Sequence, residues 1–287
     1  MNTKICKLIA YTAFSKHPHG GNPAGVVPDS NGLTAGQMQD IAKRAAYSET
    51  VFISHSHEAD FTFRYFTPSL EVPACGHATL AALYYLKNSN RLKRTAGTIQ
   101  TKGGFIQFRY NFNQGLFFIR QPLPEFGSVI DSETIARSLG IHTDKLNASL
   151  PVQMVNTGLW DIIIPVKNKK ILMLLNPDFE QIKDISLRNN AIGYHVFSLD
   201  DEKYHATCRN FAPAAGILEE AATGTASGAL AAYLIHYNVL KSDTMLFRQG
   251  DSLKRPSDIH VILKNGADSN VELWIGGYAV SIDTQII

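Results

Sequence analysis

The chain has 287 residues, 45% hydrophobic and 18% charged, a globular balance with room for two ordinary domains. Its 27 basic and 25 acidic side chains leave a net charge of +2, which argues against nucleic acid or a membrane surface as partner. No run of about 18 apolar residues could span a bilayer, and the first residues lack the apolar stretch of a signal peptide. Cys6, Cys75 and Cys208 cannot all pair and form no CxxC, so a reduced, cytoplasmic chain is expected.

In chain order, Lys4 to Phe14 reads as a strand, and His17 to Pro23 as a turn-rich loop entering a second strand at Ala24–Val27. Thr34 and Gln37 have the spacing of a capping box, which predicts a helix to about Ala46. Val51–Ile53 and the alternating Ala59–Thr67 follow as strands. The run after Gly76 (Ala78 to Leu86) is apolar on every side, as in a helix buried all round. Strands are expected at Thr98–Thr101, Phe105–Tyr110 and Leu116–Arg120, and a turn carrying Pro122, Pro124 and Gly127 then marks the boundary between halves.

The second half repeats the plan. A helix at Asp131–Leu139 stops at Gly140, strands lie at Val152–Val155 and Ile162–Val166, and one or two helices between Asn168 and Asn189 are interrupted by Pro177. Strands at Ala191–Leu199 and Tyr204–Phe211 precede a second wholly apolar helix from Gly224 to about Tyr237. Strands at Met245–Arg248, His260–Leu263 and Val271–Ile275 follow, with a loop opening at Asn265-Gly266 and the last residues returning to the first domain. The expected fold is α+β, with two pseudo-symmetric domains, each a mostly antiparallel sheet rolled around its apolar helix. Their bounds are 1–120 plus about 278–287, and 121–277.

An internal repeat singles out the chemistry. Arg64-Tyr65-Phe66-Thr67-Pro68 precedes Cys75-Gly76-His77-Ala78, and Arg209-Asn210-Phe211-Ala212-Pro213 precedes Thr223-Gly224-Thr225-Ala226 after a slightly longer acidic linker. Each Gly opens an apolar helix whose first amides have no internal partner and favour an anion such as a carboxylate. Glu49, at the mouth of an apolar strand, is a candidate general acid/base whose pKa burial would raise. His77 is a candidate acid/base or hydrogen-bond donor, and one of Glu219 and Glu220 is expected to face inward. Cys75 sits before a helix N-terminus, which lowers a thiol pKa, but its counterpart is Thr223, so a two-thiol racemase lacks its partner. His17 with His19 and His55 with His57 are too close-spaced for a zinc site, and no metal is expected.

As a set, Gly21-Asn22-Pro23-Ala24-Gly25-Val26-Val27, Ser48-Glu49-Thr50, the two repeat blocks, Gln249-Gly250 and Arg255-Pro256-Ser257 resemble the phenazine-biosynthesis PhzF-like family. The resemblance implies a diaminopimelate-epimerase-like fold. It implies a cofactor-free isomerase, usually a homodimer, in which one glutamate moves a proton between carbons of a small carboxylate-bearing substrate. Glu49 matches that glutamate and His77 the histidine of the first helix turn. Gly76 and Gly224 match the turns that present amides to substrate. The family's second turn commonly reads Glu-Asp-Pro-Ala-Thr-Gly-Ser-Ala, and here Glu220 and Thr225 replace its aspartate and serine.

Together these readings name Glu49, His77, Glu220 and Thr225 as catalytic and Asn22, Ser48, Cys75, Gly76 and Gly224 as substrate-binding. The alternatives are an epimerase or racemase using Cys75, or a non-catalytic small-molecule binder of the same fold.

Overall fold

The strands follow from alternation and most of the helices from their caps. The computed structural model describes residues 6–265 and 271–287. Lys4 and Ile5 of the expected first strand and Gly266 of the late loop therefore lie outside the described residues. The chain divides into two compact units, one formed by 1–120 with 276–287 and the other by 121–275.

In the first unit, β1 (Lys7–Ala13) pairs antiparallel with β2 (Asn22–Val27). The helix α1 (Ala35–Ala45) opens on the capping box. The Gln37 amide donates to Thr34 Oγ1 at 3.3 Å and the Thr34 amide to Gln37 Oε1 at 2.9 Å. Next, β3 (Glu49–Ser54) runs parallel to β2 and antiparallel to β4 (Phe61–Phe66). A two-residue strand, β5 (Glu71–Val72), folds back on β4 inside what the sequence presents as a linker. The helix α2 (Gly76–Asn88) leads to β6 (Ala96–Thr101), β7 (Gly104–Asn111) and β8 (Leu116–Gln121). Ala78, Leu80, Ala81, Ala82, Leu83 and Leu86 of α2 are wholly buried. The opposite face of the sheet is covered by α1, whose Met38, Ile41 and Ala42 pack with Leu8, Val27, Phe52 and Phe66.

The second unit begins with a difference from expectation. Residues Glu125–Val129 form a strand, β9, paired with β10 (Gln153–Asn156), where the sequence suggests a turn. Pro122 and Pro124 stand before the paired segment, and Gly127 is needed there because Trp160 and Met154 occupy the space a Cβ would take. Between them lies α3 (Ser132–Ser138), and after them β11 (Trp160–Pro165), α4 (Lys169–Leu174) and α5 (Phe179–Arg188). Then β12 (Gly193–Ser198) runs parallel to β11 and antiparallel to β13 (Ala206–Ala212), repeating the β2–β3–β4 arrangement. A short β14 (Ile217–Glu220) precedes α6 (Gly224–His236), β15 (Thr244–Gln249), β16 (Ser257–Asn265) and β17 (Val271–Gly277). The last strand, β18 (Ala279–Ile286), returns to pair with β1. Alternation sends Ile162, Ile164, Tyr194, Val196 and Phe211 into a core with α3, α4 and α5. The intervening residues of β11–β13 therefore face α6. Among the described residues, no helix is long and apolar enough to cross a membrane.

The repeated Arg-x-Phe has a structural explanation. Two residues apart on one strand, each arginine lies over its own phenylalanine, Arg64 over Phe66 at 5.2 Å and Arg209 over Phe211 at 4.8 Å. Each also binds a carboxylate on the returning strand. Arg64 Nε meets Glu71 at 2.7 Å, and Arg209 grips Glu219 through both Nε and Nη2 at 2.8 Å. The second clamp is the more buried, 9% and 11% exposed against 30% and 17%, and Arg209 Nη1 also donates to the Leu172 and Leu175 carbonyls at the end of α4. Replacing Arg209 by Met should therefore cost about 3–5 kcal/mol by leaving the largely enclosed Glu219 without its cation. Arg64→Met should cost about 1 kcal/mol or less. Denaturant unfolding midpoints of the two variants check the difference.

Candidate functional site

Among the described residues, α1, α3, α4 and α5 each begin with a side chain accepting a bond from their first turn: Thr34, Asp131, Asn168 and Asp178. The two central helices do not. Cys75 and Thr223 hold the N-cap positions of α2 and α6, and neither makes a side-chain cap bond. The most buried helices thus leave their positive ends uncapped, and the candidate residues gather there.

In the first unit the structure brings together Asn22, Ser48, Glu49, Cys75, Gly76 and His77. Glu49 opens β3 and points toward α2, because Val51 two residues on is buried on the same face. Its Oε2 lies 3.1 Å from His77 Nε2, an ion pair when the histidine is protonated. Asn22 reaches His77 Nδ1 at 3.4 Å, Cys75 Sγ approaches the same nitrogen at 3.4 Å, and Ser48 Oγ lies 3.5 Å from Nε2.

The electrostatics correct two readings made from the sequence. Burial pushes the Glu49 pKa up, but the charge and hydrogen bonding of His77, helped by Ser48, more than reverse it, so Glu49 is held below the ordinary glutamate value. Burial pushes His77 down, and Cys75 and Glu49 on its two sides raise it well above the ordinary histidine value. The Cys75 thiol is raised, first by burial and further by Glu49, against the pull of His77. The lowering expected from its place before a helix is outweighed. A neutral thiol carries no charge, so at neutral pH Glu49 is the group that keeps His77 protonated. The directions of the three shifts favour a Glu49 carboxylate facing a His77 imidazolium, beside a neutral Cys75 thiol. An imidazolium donates at both nitrogens, so Asn22 must turn its amide oxygen, not its nitrogen, toward Nδ1. The Glu49, Cys75 and His77 donor atoms all lie within 4.8 Å of one another, a spacing a soft divalent ion would accept. The His55 and His57 rings lie against each other, with centres 5.3 Å apart.

In the second unit Glu220, Gly224 and Thr225 meet at the first turn of α6. Glu219 is taken by Arg209 and Ser252, which leaves Glu220 as the acid of the pair at this turn. Thr223 Oγ1 donates to Glu220 Oε2 at 2.7 Å, and the Thr225 carbonyl accepts from Thr157 Oγ1 at 2.8 Å. The turn is fastened by Gln249, which is fully buried. Its Oε1 accepts from the Thr223 amide at 3.1 Å, and its Nε2 donates to the Glu220 carbonyl at 2.7 Å and to Thr223 Oγ1 at 3.1 Å. Gly250 follows with φ of +84°, where a Cβ would strike the Arg255 carbonyl. The sequence marks Gln249-Gly250 only through family resemblance, and nothing local to it shows that the glutamine serves a turn so far back in the chain. Two surface hollows, one bounded by Trp160 and Ile192 and the other by His57 and Arg94, include none of these residues.

The ion pair has a pH signature. His77 binds its proton more tightly folded than unfolded, so that contribution is complete below about pH 6.5 and is lost as pH rises through its raised value. Glu49 contributes above about pH 4.5 and loses its share as pH falls through its lowered value. His77→Gln should therefore be most destabilising between these limits, by about 1.5–3 kcal/mol. The gap should narrow toward alkaline pH, and thermal unfolding across pH checks the curve.

Comparison with known proteins shows the family. The family profile described as PhzC-PhzF, phenazine biosynthesis-like protein, matches residues 11–284. An uncharacterized isomerase of Bacillus subtilis, YfhB, is 34% identical, covering 99% of each chain. The trans-2,3-dihydro-3-hydroxyanthranilate isomerase of Pseudomonas chlororaphis is 28% identical, covering 94% of each. A solved PhzF-family structure from Bacillus anthracis superposes with a TM-score of 0.92 at 32% identity, over 99% of each chain. With its two uncapped central helices and its profile match over nearly the whole sequence, the chain belongs to the PhzC-PhzF, phenazine biosynthesis-like, family and is an isomerase of that family.

Proposed function

We propose that this isomerase moves a proton between two carbons of a small carboxylate-bearing metabolite, without a cofactor, and that Glu49 carries the proton. The observation behind the reading is the Glu49–His77 pair, 3.1 Å apart, with His77 buried and Glu49 partly buried, at the uncapped N-terminus of α2. A carboxylate held ionised at neutral pH can accept a proton from carbon. The weakness of so acidic a base must be offset by stabilising the charge left on the substrate. When the carbon–hydrogen bond breaks, its electron pair stays on the substrate as an enolate-like anion and the proton rests on Glu49. The negative charge has then moved from Glu49 to the substrate, while His77 stays cationic and helix-end amides supply fixed dipoles for the new anion. Return of the proton to the second carbon restores the Glu49 carboxylate and completes the isomerisation with no net change in oxidation state.

In this reading Asn22 and Ser48 orient His77, and the Gly76 turn presents amides to the substrate's carboxylate. Family resemblance assigns the Gly224 turn the same role, and Glu220 and Thr225, at that turn of the second unit, assisting ones. Cys75 contributes contact rather than chemistry, because its thiol is held protonated. The hydroxyanthranilate isomerase among the relatives makes trans-2,3-dihydro-3-hydroxyanthranilate the first candidate to try, alongside cyclic and amino-acid carboxylates.

On a carboxylate that the wild type turns over, Glu49→Gln should lower turnover by about 10²–10⁴-fold while binding, followed by calorimetry, changes little. Cys75→Ser should stay within about tenfold of wild type. Full turnover by Glu49→Gln would overturn the assignment. Loss of turnover in Cys75→Ser alone would favour the thiol epimerase, and binding without turnover across the panel would favour a binder.

A further inference from the structure

The second unit carries a buried carboxyl group that the proposed chemistry does not use. Asp161 is 1% exposed, on the face of β11 that turns to α6. Sheet register relates it to Glu49. Matching Arg64 to Arg209 matches Tyr65 to Asn210, whose antiparallel partners are Val51 and His195. Their parallel partners are Val26 and Ile163. Two residues back along each of these strands, Ala24 stands beside Glu49 in the first unit and Asp161 beside Gly193 in the second. Gly193 cannot carry a side chain, because a Cβ there would strike the Phe211 carbonyl. The acid that one unit bears on its third strand is therefore borne in the other unit one strand over.

The surroundings of Asp161 bear on its protonation. His195, Asn210 and Glu220 lie in register on successive strands, and all share its face. Asn210 Nδ2 is 3.2 Å from His195 Nδ1. Asn210 lies beside Asp161, but both Asp161 oxygens, Asn210 Oδ1 and His195 Nε2 are buried without a well-formed hydrogen bond. Acceptors placed together in a dry site need a proton. A neutral Asp161 places no charge in this dry site and brings an O–H of its own.

We infer that Asp161, one strand over from the position that matches Glu49, is kept as a neutral acid at neutral pH and serves as a positioning residue that sets no second negative charge beside Glu220. Its role in the reaction rests on the reading above that Glu220 belongs to the site, but its protonation does not. Burial, the negative charge of Glu220 and a smaller opposing bond from Asn210 together push Asp161 up to about 8. The other titratable groups on this face are His195, held neutral by burial, and Cys208, whose thiol burial raises further. From Gly224 to Ala232, α6 carries no ionisable side chain, and neither does β10.

Infrared titration of the free protein tests this without any substrate. Wild type should show a buried protonated-carboxyl band at pH 7 that disappears with a midpoint near about pH 8. Asp161→Asn should lack the band. In Glu220→Gln, with the neighbouring charge removed, the midpoint should fall by at least half a pH unit, and this variant serves even if Asp161→Asn fails to fold. No band in wild type at pH 7, a band surviving in Asp161→Asn, or a midpoint unmoved in Glu220→Gln would each overturn the inference. All are read independently of whether Glu49 shifts protons.

Discussion

A helix buried along its whole length can meet polar partners only at its ends. The sides of α2 and α6 are alanine, leucine and other apolar groups closed in by their own sheets, and the first turn is where unsatisfied amides remain. Polar side chains pointing inward from the strands must therefore gather at that turn or be paired. This constraint explains why the candidate residues, scattered from Asn22 to Gln249 in the chain, come together at two helix starts. It also explains why a carboxylate at the mouth of β3 is useful: a charge there is buried enough to be strong and has a cation opposite it.

The two units use one backbone plan with different side chains. Cys75 is matched by Thr223, His77 by Thr225, and the Glu49 position by a glycine whose neighbour is Asp161. The first unit holds an ion pair. The second holds hydroxyls, an amide clamp from Gln249 and the carboxyl groups of Glu220 and Asp161. Such a division is what the proposed single-base chemistry asks for, with its base in one half alone. A two-thiol mechanism would need like groups on both sides.

Much of this was legible in the sequence, for identifiable reasons. Apolar residues on every face of Ala78–Leu86 and Ala226–Ile235 leave no other reading than two core helices, and the Thr34–Gln37 spacing fixes the start of α1 to the residue. The strand at Glu125–Val129 was hidden by prolines that precede it and a glycine that packing demands. The acidic linkers hid β5 and β14. The repeated arginine was legible as a signal but not as a cause, since its carboxylate partners Glu71 and Glu219 become visible only when the strand folds back. The direction of the Glu49 and Cys75 shifts could not be read at all. Burial alone predicts a raised glutamate, and only the position of His77 reverses it. Asp161, His195 and Asn210 share a face through register, which no local pattern records.

The central claim, that Glu49 exchanges protons with substrate carbon, is tested most directly in heavy water. The protein would be incubated with a carboxylate that it binds, and deuterium at carbon followed by NMR. The account predicts incorporation at the exchanging carbons by wild type and Cys75→Ser, and none above background by Glu49→Gln. Incorporation that persists in Glu49→Gln and vanishes in Cys75→Ser would contradict it.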